Sequence, residues 1–304
     1  HRHAELYLPH LPAPIHTGFM EPVSRSYMSQ RLNLNYVVWG DESKPPVVLV
    51  HGGRDHARNW DFVADALVPD FAVYAVDLRG HGDSDWCYGS MYSMPEYTAD
   101  VAAFIRLVDR GPVRLVGHSL GGGIVLQYSG TFPEMVTCVA SVEGLGPGVH
   151  ERRPAHHRMR EWMKHLHGFE ERKPRHYRNL EDAVARMQEA NRHLSPLMAR
   201  HLAEHGARRH EDGTYTWKFD NFVRMHSPYE FMIDDARELW NQIRCPVLLI
   251  RGDKSWAQDP DKDGKASAFH NYRSVQIKDA GHWVHHDQLD EFLAVLLPFL
   301  REDS

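Results

Sequence analysis

The feature that most constrains the fold is a regular alternation of short apolar runs with helical segments. Val47–Val50, Phe71–Asp77 and Thr137–Val142 are apolar, partly β-branched runs with the length of strands that are buried on both faces. Helical spacing of apolar residues follows, as at Pro95 to Val108. This rhythm is typical of a mostly parallel sheet covered by helices on both faces, so the sequence predicts an α/β fold.

The alternation stops at about Leu145 and resumes at Pro246–Gly252. The stretch between has helical periodicity and holds more Lys and Arg than Asp and Glu, although the whole chain has a formal charge of −6. Eleven of the 23 histidines lie between His150 and His226. We therefore expect an insertion. We expect an N-terminal extension over residues 1–24 and an α/β core formed by residues 25–144 and 245–304. The helical cap is expected between the two parts of the core, at residues 145–244.

A Gly-His-Ser-Leu-Gly turn at Gly117–Gly121 joins an apolar strand to a helical segment. A serine in such a turn has a strained backbone, and its small neighbours let the chain bend without a Cβ clash. The hydroxyl group then projects above the sheet. The free N–H groups at the start of the helix can face a developing oxyanion. This context predicts that Ser119 is a nucleophile.

Three further segments occur with this turn. They are His51-Gly52-Gly53 after a strand, the loop Asp77–Ser84 with the sequence DLRGHGDS, and Ala280-Gly281-His282-Trp283. In this order they are similar to the oxyanion turn, the D-x-R-G-x-G-x-S loop and the histidine segment of the α/β-hydrolase family, which the chain resembles over residues 30–145 and 245–301. The resemblance implies the α/β-hydrolase fold with a helical cap, and a capped serine hydrolase of the esterase type.

A serine hydroxyl is a weak nucleophile at neutral pH and needs a base. His282 is the candidate, because it follows a predicted strand and precedes the last helix, as the resemblance requires. His285 and His286 lie nearby, and this H-x-x-H-H pattern raises a metal site as an alternative. No Cys or carboxylate set accompanies it at ligand spacing, so surface or packing positions are expected. His51 and His118 are expected to shape their turns.

The third member of the site orients the imidazole. The resemblance places this acid after the seventh strand in the pattern G-x-x-D, where the chain has Ser255. Glu143 ends the sixth strand, and some members of the superfamily, including certain haloalkane dehalogenases, take their acid from that strand end. The carboxyl ends of strands in open α/β sheets face the site. We expect Glu143 to be the acid, with Asp253, Asp259 or Asp261 as alternatives.

The oxyanion hole is expected to use the backbone N–H groups of Gly53 and Leu120. An arginine and three tryptophans next to the motifs are candidates for lining the substrate pocket: Arg54, Trp60, Trp256 and Trp283. Plain packing remains an open alternative for Trp60 and Trp256. For Arg54, an ion pair with Asp55 is an equal alternative.

Composition excludes several classes of function. The acidic net charge argues against a dedicated nucleic-acid binder, and no apolar run approaches the length of a membrane span. The three cysteines show no CxxC spacing, so neither a zinc site nor a disulfide framework is indicated, and a reducing, cytoplasmic location is expected. The first residues lack the apolar stretch of a signal peptide. No metal or organic cofactor is expected, and the oligomeric state is left open.

The residue at the turn decides between reaction classes. A serine, rather than an aspartate, favours acyl transfer through a tetrahedral intermediate and an acyl-enzyme. The expected substrate is a small carboxylic ester or a lactone, which makes the expected enzyme carboxylesterase-like. The resemblance to capped hydrolases also admits hydrolysis of C–C bonds. A non-catalytic ligand-binding protein with the same fold is the alternative from a different class.

Overall fold

A computed structural model describes residues 20–89, 92–148, 151–225 and 227–302. The expected N-terminal extension falls mostly on residues 1–19, which lie outside the described residues. Ten strands are described in two sheets. Eight of them form the central sheet: β1 (Val23–Ser29), β2 (Leu32–Trp39), β3 (Pro46–Val50), β4 (Ala72–Val76), β5 (Val113–His118), β6 (Val136–Val142), β9 (Val247–Gly252) and β10 (Tyr272–Ile277). The other two form a small separate sheet: β7 (Ala207–Arg209) and β8 (Tyr215–Trp217).

The central sheet is mostly parallel, as the alternation predicts. Its strand order is β1-β2-β4-β3-β5-β6-β9-β10. β2 pairs antiparallel with both β1 and β4, and the pairs from β4 through β10 are parallel. Every residue of β3 and β4 is buried, as expected for strands with helices on both faces.

The sequence did not predict β1, which lies at the edge of the sheet. Only Tyr27 and Ser29 of this strand are buried, so its sequence has no apolar run. The turn into β2 is made by Gln30 and Arg31, which both have positive φ angles, 46° and 69°. Tight hairpin turns usually have Asn or Gly at positions with positive φ, and neither residue is present here, so the sequence does not indicate the turn.

Helices cover both faces of the sheet. Those that flank it are α1 (Asp61–Leu67), α2 (Met94–Val108), α3 (Leu120–Thr131), α8 (Val284–Asp287) and α9 (Leu289–Arg301). One apolar cluster joins α2 and α3 to one face, and a second joins α1 and α9 to the other. α2 begins with a capping box in which Ser93 and Glu96 satisfy the free N–H groups of its first turn.

Between β6 and β9 the chain leaves the sheet. The helices of this stretch are α4 (Ala155–Glu170), α5 (Leu180–Ala190), α6 (Pro196–Gly206) and α7 (Ile233–Trp240). α7 packs on α3, where a Cβ atom at Gly130 would lie 2.2 Å from the Leu239 carbonyl oxygen. It therefore belongs to the helical layer of the sheet. We call residues 151–230 the inserted segment. It is narrower than the expected cap of residues 145–244, and besides its helices it contains the hairpin β7–β8, which helical periodicity did not reveal.

The inserted segment is anchored to loops at the carboxyl ends of the strands. Trp86 Nε1 donates to the Lys218 carbonyl oxygen at 3.0 Å, and the Tyr92 hydroxyl donates to Asp220 Oδ2 at 2.6 Å. A small apolar cluster also joins Phe62 of α1 to α5 and α6. The segment thus lies on the side of the sheet where the predicted site residues are found. Within the described ranges, no helix is long and apolar enough to cross a membrane.

Candidate active site

The turn between β5 and α3 has the strained geometry that its sequence predicts. Ser119 has φ 53° and ψ −115°, which is unusual for a residue with a side chain. The glycines on either side are required by close packing. A Cβ atom at Gly117 would lie 2.3 Å from the Gly121 carbonyl oxygen, and one at Gly121 would lie 2.2 Å from the Val50 carbonyl oxygen. The backbone therefore holds Ser119 at the carboxyl end of the sheet.

The structure brings His282 to this serine from the loop after β10. His282 Nε2 lies 2.9 Å from Ser119 Oγ, and the imidazole is nearly buried. His118 Nε2 donates to the His282 carbonyl oxygen at 2.8 Å, which ties the loop to β5. His282 Nδ1 lies 3.3 Å from Glu143 Oε2. Since a carboxylate only accepts, Nδ1 carries the proton in this contact, and Nε2 is left to accept from the serine hydroxyl.

Glu143 follows β6 in the left-handed region, with φ 57°, and its side chain is fully buried. The carboxylate accepts two hydrogen bonds besides the one from His282. Gly252 N donates to Oε1 at 2.6 Å and Ser255 Oγ donates to Oε2 at 2.5 Å. These donors matter because burying a carboxylate costs free energy unless it is hydrogen-bonded.

The three aspartates considered as alternative acids pair with residues other than His282. Asp253 lies 3.3 Å from Lys254 Nζ, Asp259 pairs with a lysine of its own loop, and Asp261 accepts from the Tyr272 hydroxyl. Ser255, which stands where the resemblance places an aspartate, instead donates to Glu143. Sequence reasoning noted Ser255 only as a departure from the pattern. Its contact with Glu143 depends on β6 and β9 being neighbours, which the sequence does not show.

The glycine turn after β3 lies beside the serine, as the oxyanion hole requires. A Cβ atom at Gly52 would lie 3.3 Å from Ser119 Cβ, and one at Gly53 would lie 3.9 Å from a methyl group of Leu120. His51 shapes this turn: its Nδ1 donates to the Gly52 carbonyl oxygen at 2.7 Å. Burial lowers the pKa of His51 to about 4, so it is neutral at physiological pH.

Arg54 and Asp55, which follow this turn, have different environments. Arg54 is exposed and has a φ of 65°. Asp55 accepts from Asn59 Nδ2 at 2.6 Å and from the His56 N–H group at 2.9 Å, rather than pairing with Arg54. Burial raises the pKa of Asp55 to about 7, although these hydrogen bonds oppose the shift.

The three tryptophans expected to line the substrate pocket do not all lie at the same place. Trp60 is completely buried and stacks on His285 at 4.6 Å, so the packing alternative is correct for it and the pocket prediction is not. Trp256 is 79% exposed and stacks on His282 with ring centroids 4.8 Å apart. Trp283 meets the His282 ring edge-on at 5.3 Å. Two of the three therefore contact the imidazole.

His285 is buried and His286 is half-buried, so of the two positions expected for this pair, surface or packing, the packing position is the one that His285 takes. His285 is fully buried, and burial holds its pKa well below the usual range of histidine. Burial also lowers the pKa of His286 to about 3. Both side chains are therefore neutral in the folded protein near neutral pH.

A different group of side chains could hold a metal ion. Within the described part of the chain, the ligand atoms of Asp61, His201 and His205 lie within 4.8 Å of one another. Arg58 Nε already donates to both carboxylate oxygens of Asp61 at 2.8 Å. Asp61 is therefore already paired with Arg58, and Arg58 would compete with a metal ion for the carboxylate. Sequence reasoning missed it because α1 and α6 are far apart in the chain.

Comparison with known proteins agrees with this architecture. The model of the alpha/beta hydrolase family matches residues 47–295. A serine hydrolase-like protein of Danio rerio is 27% identical over 281 residues, which cover 88% of this chain and 85% of that protein. An esterase of Mycobacterium tuberculosis is 28% identical over 252 residues, covering 82% and 80%.

Solved structures show the same fold. The crystal structure of a hypothetical protein from Pseudomonas aeruginosa matches with a TM-score of 0.82 at 24% identity, covering 91% of this chain and 98% of that one. The family match spans the turn with Ser119, the carboxylate Glu143 and the loop with His282. The predicted fold is confirmed, and the chain belongs to the alpha/beta hydrolase family.

Proposed function

We propose that this chain is a serine hydrolase that cleaves a carboxylic ester or a lactone through an acyl-enzyme. The observation that carries the proposal is the hydrogen-bonded row from Ser119 through His282 to Glu143, with distances of 2.9 and 3.3 Å. Nucleophile, base and orienting acid in this order can activate a hydroxyl group. Relatives named as an esterase and as a serine hydrolase-like protein support the same reaction type.

The reaction proceeds in two halves. Ser119 Oγ attacks the carbonyl carbon while His282 Nε2 takes the hydroxyl proton. The carbonyl oxygen becomes an oxyanion, to which the N–H groups of Gly53 and Leu120 donate. The intermediate then expels the alkoxy group, which takes the proton from His282 and leaves as an alcohol. Water repeats these steps on the acyl-enzyme, with His282 as base, and releases the acid and the free serine.

Glu143 has two tasks in this mechanism. It accepts from Nδ1, which fixes the tautomer whose Nε2 can take the serine proton, and it stabilises the imidazolium that then forms. The hydrogen bonds from Gly252 and Ser255 hold the carboxylate in place. In this assignment the acid directly follows β6, and the loop after β9 contributes the Ser255 hydroxyl group as a donor to it.

The inserted segment acts as the cap of this site. Its anchors at Trp86 and Tyr92 keep it on the loops at the carboxyl ends of the strands. Because this segment lies on the same side of the sheet as Ser119, we assign the choice of acyl chain to its side chains. The chemistry itself is assigned to the loops of the core.

Hydrolysis of p-nitrophenyl esters from acetate to decanoate tests the proposal, with wild type, S119A and E143Q. Wild type should turn over at least part of the series, both variants should lose most of this activity, and a fluorophosphonate should label Ser119 in wild type only. Labelling without turnover of any ester would move the assignment to C–C bond hydrolysis or a narrow lactone. Folded wild type that neither labels nor turns over would identify a ligand-binding protein and contradict the proposal.

A further inference from the structure

The loop after β9 places an exposed aromatic side chain against the proposed base. The indole of Trp256 stacks on the imidazole of His282, with ring centroids 4.8 Å apart and ring planes 28° from parallel. The rest of this side chain is open to solvent, since the residue is 79% exposed. Core packing therefore does not account for a tryptophan at this position.

The backbone on both sides of Trp256 is fixed. Ser255 Oγ donates to Glu143 Oε2 at 2.5 Å and accepts from the Ala257 N–H group at 3.1 Å. The Ala257 carbonyl oxygen in turn accepts from Arg251 Nε at 2.8 Å. These contacts hold the loop that places the indole over His282.

The stacking has an electrostatic consequence for the proposed mechanism. The Glu143 carboxylate is shared among Gly252 N, Ser255 Oγ and His282 Nδ1, and the contact with His282 is the longest of the three. A carboxylate divided in this way stabilises an imidazolium less than one that serves a single donor. The face of an indole is electron-rich and attracts a cation placed over it, which provides a second source of stabilisation.

Four titratable groups face the His282 imidazole from the elements packed around it. Glu143 comes from the end of β6 and His118 from β5, with its ring centroid 4.9 Å away. His285 and Asp287 come from α8 and interact electrostatically with His282. Burial lowers the pKa of both His118 and His285 well below the usual range, so neither carries a charge near neutral pH. All four groups remain when only Trp256 is changed.

We propose that Trp256 is a further catalytic residue, whose indole face stabilises the imidazolium that His282 forms in each transition state. This rests on the proposed function, because the imidazolium arises only if His282 acts as the base. The loop that carries the acid in the family pattern would then serve His282 in two other ways. Ser255 holds the displaced acid, and Trp256 contacts the reacting imidazole directly.

Kinetics of W256L and W256F on p-nitrophenyl butyrate test the effect on catalysis. Leucine keeps an apolar side chain but has no aromatic face, whereas phenylalanine keeps an aromatic face that is smaller than that of tryptophan. We expect W256L to lower kcat roughly two- to fivefold, with W256F between it and wild type. The acid limb of the pH–kcat profile should move to lower pH by about half a unit in W256L. F132L, at the opposite end of α3 from Ser119, is the matched control and should match wild type.

A measurement without substrate separates this proposal from the proposed function. The imidazole Cε1–H resonance of His282, assigned by its loss in H282Q, is titrated by NMR in wild type and W256L. The midpoint should lie about half a pH unit lower in W256L. Equal midpoints in two folded proteins, or a change in KM with kcat and pH profile unaltered, would overturn the role of Trp256. A shifted midpoint in a protein that hydrolyses no ester would support the contact and count against the esterase assignment alone.

Discussion

The loops at the carboxyl ends of the strands and the inserted segment are built by different physical means. In the loops, backbone atoms pack so closely that side chains are excluded: a Cβ atom at Gly252 would lie 2.3 Å from the Ala280 carbonyl oxygen. In the inserted segment, a Cβ atom at Gly168 would meet no atom within 4 Å. The backbone therefore leaves no room for a side chain at Gly252, whereas the surroundings of Gly168 are open.

Charges follow the same division. Near the loops, the buried Arg79 donates to Asp100 at 2.6 Å, an ion pair that is expensive to break. In the inserted segment, pairs such as Arg178 with Asp182 are exposed, and exposed pairs contribute little to stability. We infer that the reaction type is set by the rigid region and that substrate choice can change through the other without loss of the fold.

Removing a histidine from each region should have very different effects on catalysis. H282A removes the proposed base, and we expect kcat to fall roughly 10⁴-fold or more, with the fold retained. H167A, on the exposed surface of α4, should leave kcat for p-nitrophenyl butyrate unchanged. Steady-state kinetics with a thermal-unfolding control measures both. A similar loss in both variants would show that the inserted segment takes part in the chemistry.

The second largest effect concerns the position of the acid. In E143Q the amide presents an N–H group where Nδ1–H needs an acceptor, so we expect kcat to fall by about 10³-fold. In E143Q/S255D a carboxylate returns close by, because Ser255 Oγ lies 2.5 Å from Glu143 Oε2. We expect this carboxylate to raise kcat at least about tenfold over that of E143Q, because it can again accept a hydrogen bond from Nδ1–H.

D253N is the control for this experiment, because Asp253 pairs with Lys254 and not with His282. It should retain nearly all of the wild-type kcat. Full activity in E143Q together with inactivity in D253N would show that the acid lies after β9, and our assignment would be wrong.

Much of the fold could be predicted from the sequence because its signals are local. Buried parallel strands are continuous apolar runs, and the serine turn needs its glycines for reasons within a few residues. The comparisons confirm the fold class and family. The roles of Ser119, His282 and Glu143 stay predictions, although the structure places them in one hydrogen-bonded row.

What the sequence could not predict depends on neighbours in space. The contact of Ser255 with Glu143 requires two strands that are separated in the chain to pair. The burial of Trp60 against His285 requires the turn before α1 to meet α8, and nothing near Trp60 in sequence distinguishes this from a pocket position. β7–β8 is only three residues per strand, too short for a periodic signal.

A glycine in each region tests the difference in packing. We expect G121A to destabilise the protein by about 3 kcal/mol or more, because the new Cβ would overlap the Val50 carbonyl oxygen. G168A, in α4, should be neutral or stabilise by roughly 0.5 kcal/mol, because alanine is the better helix former and the space is open. Chemical denaturation measures both, and equal effects would contradict the division between the regions.

The smallest effect is a pH dependence that arises from Asp55. Burial raises its pKa to about 7 in the folded protein, whereas an unfolded aspartate titrates near 3.8. Between these values the folded state binds more protons than the unfolded state, so this group makes the protein less stable as pH rises. From pH 6 to pH 8 the loss should be roughly 1.4 kcal/mol.

D55N isolates this contribution, since asparagine does not titrate and the Asn59 amide can turn to offer its oxygen. Buried histidines such as His51 act in the opposite direction, because their pKa is lowered on folding, but they are common to both proteins and cancel in the difference. D212N is the control from the inserted segment. The pKa of Asp212 is lowered by hydrogen bonds from Thr214, so this group stays ionised from pH 6 to 8. If the difference between wild type and D55N were as flat with pH as that for D212N, Asp55 would have to be ionised in the folded protein.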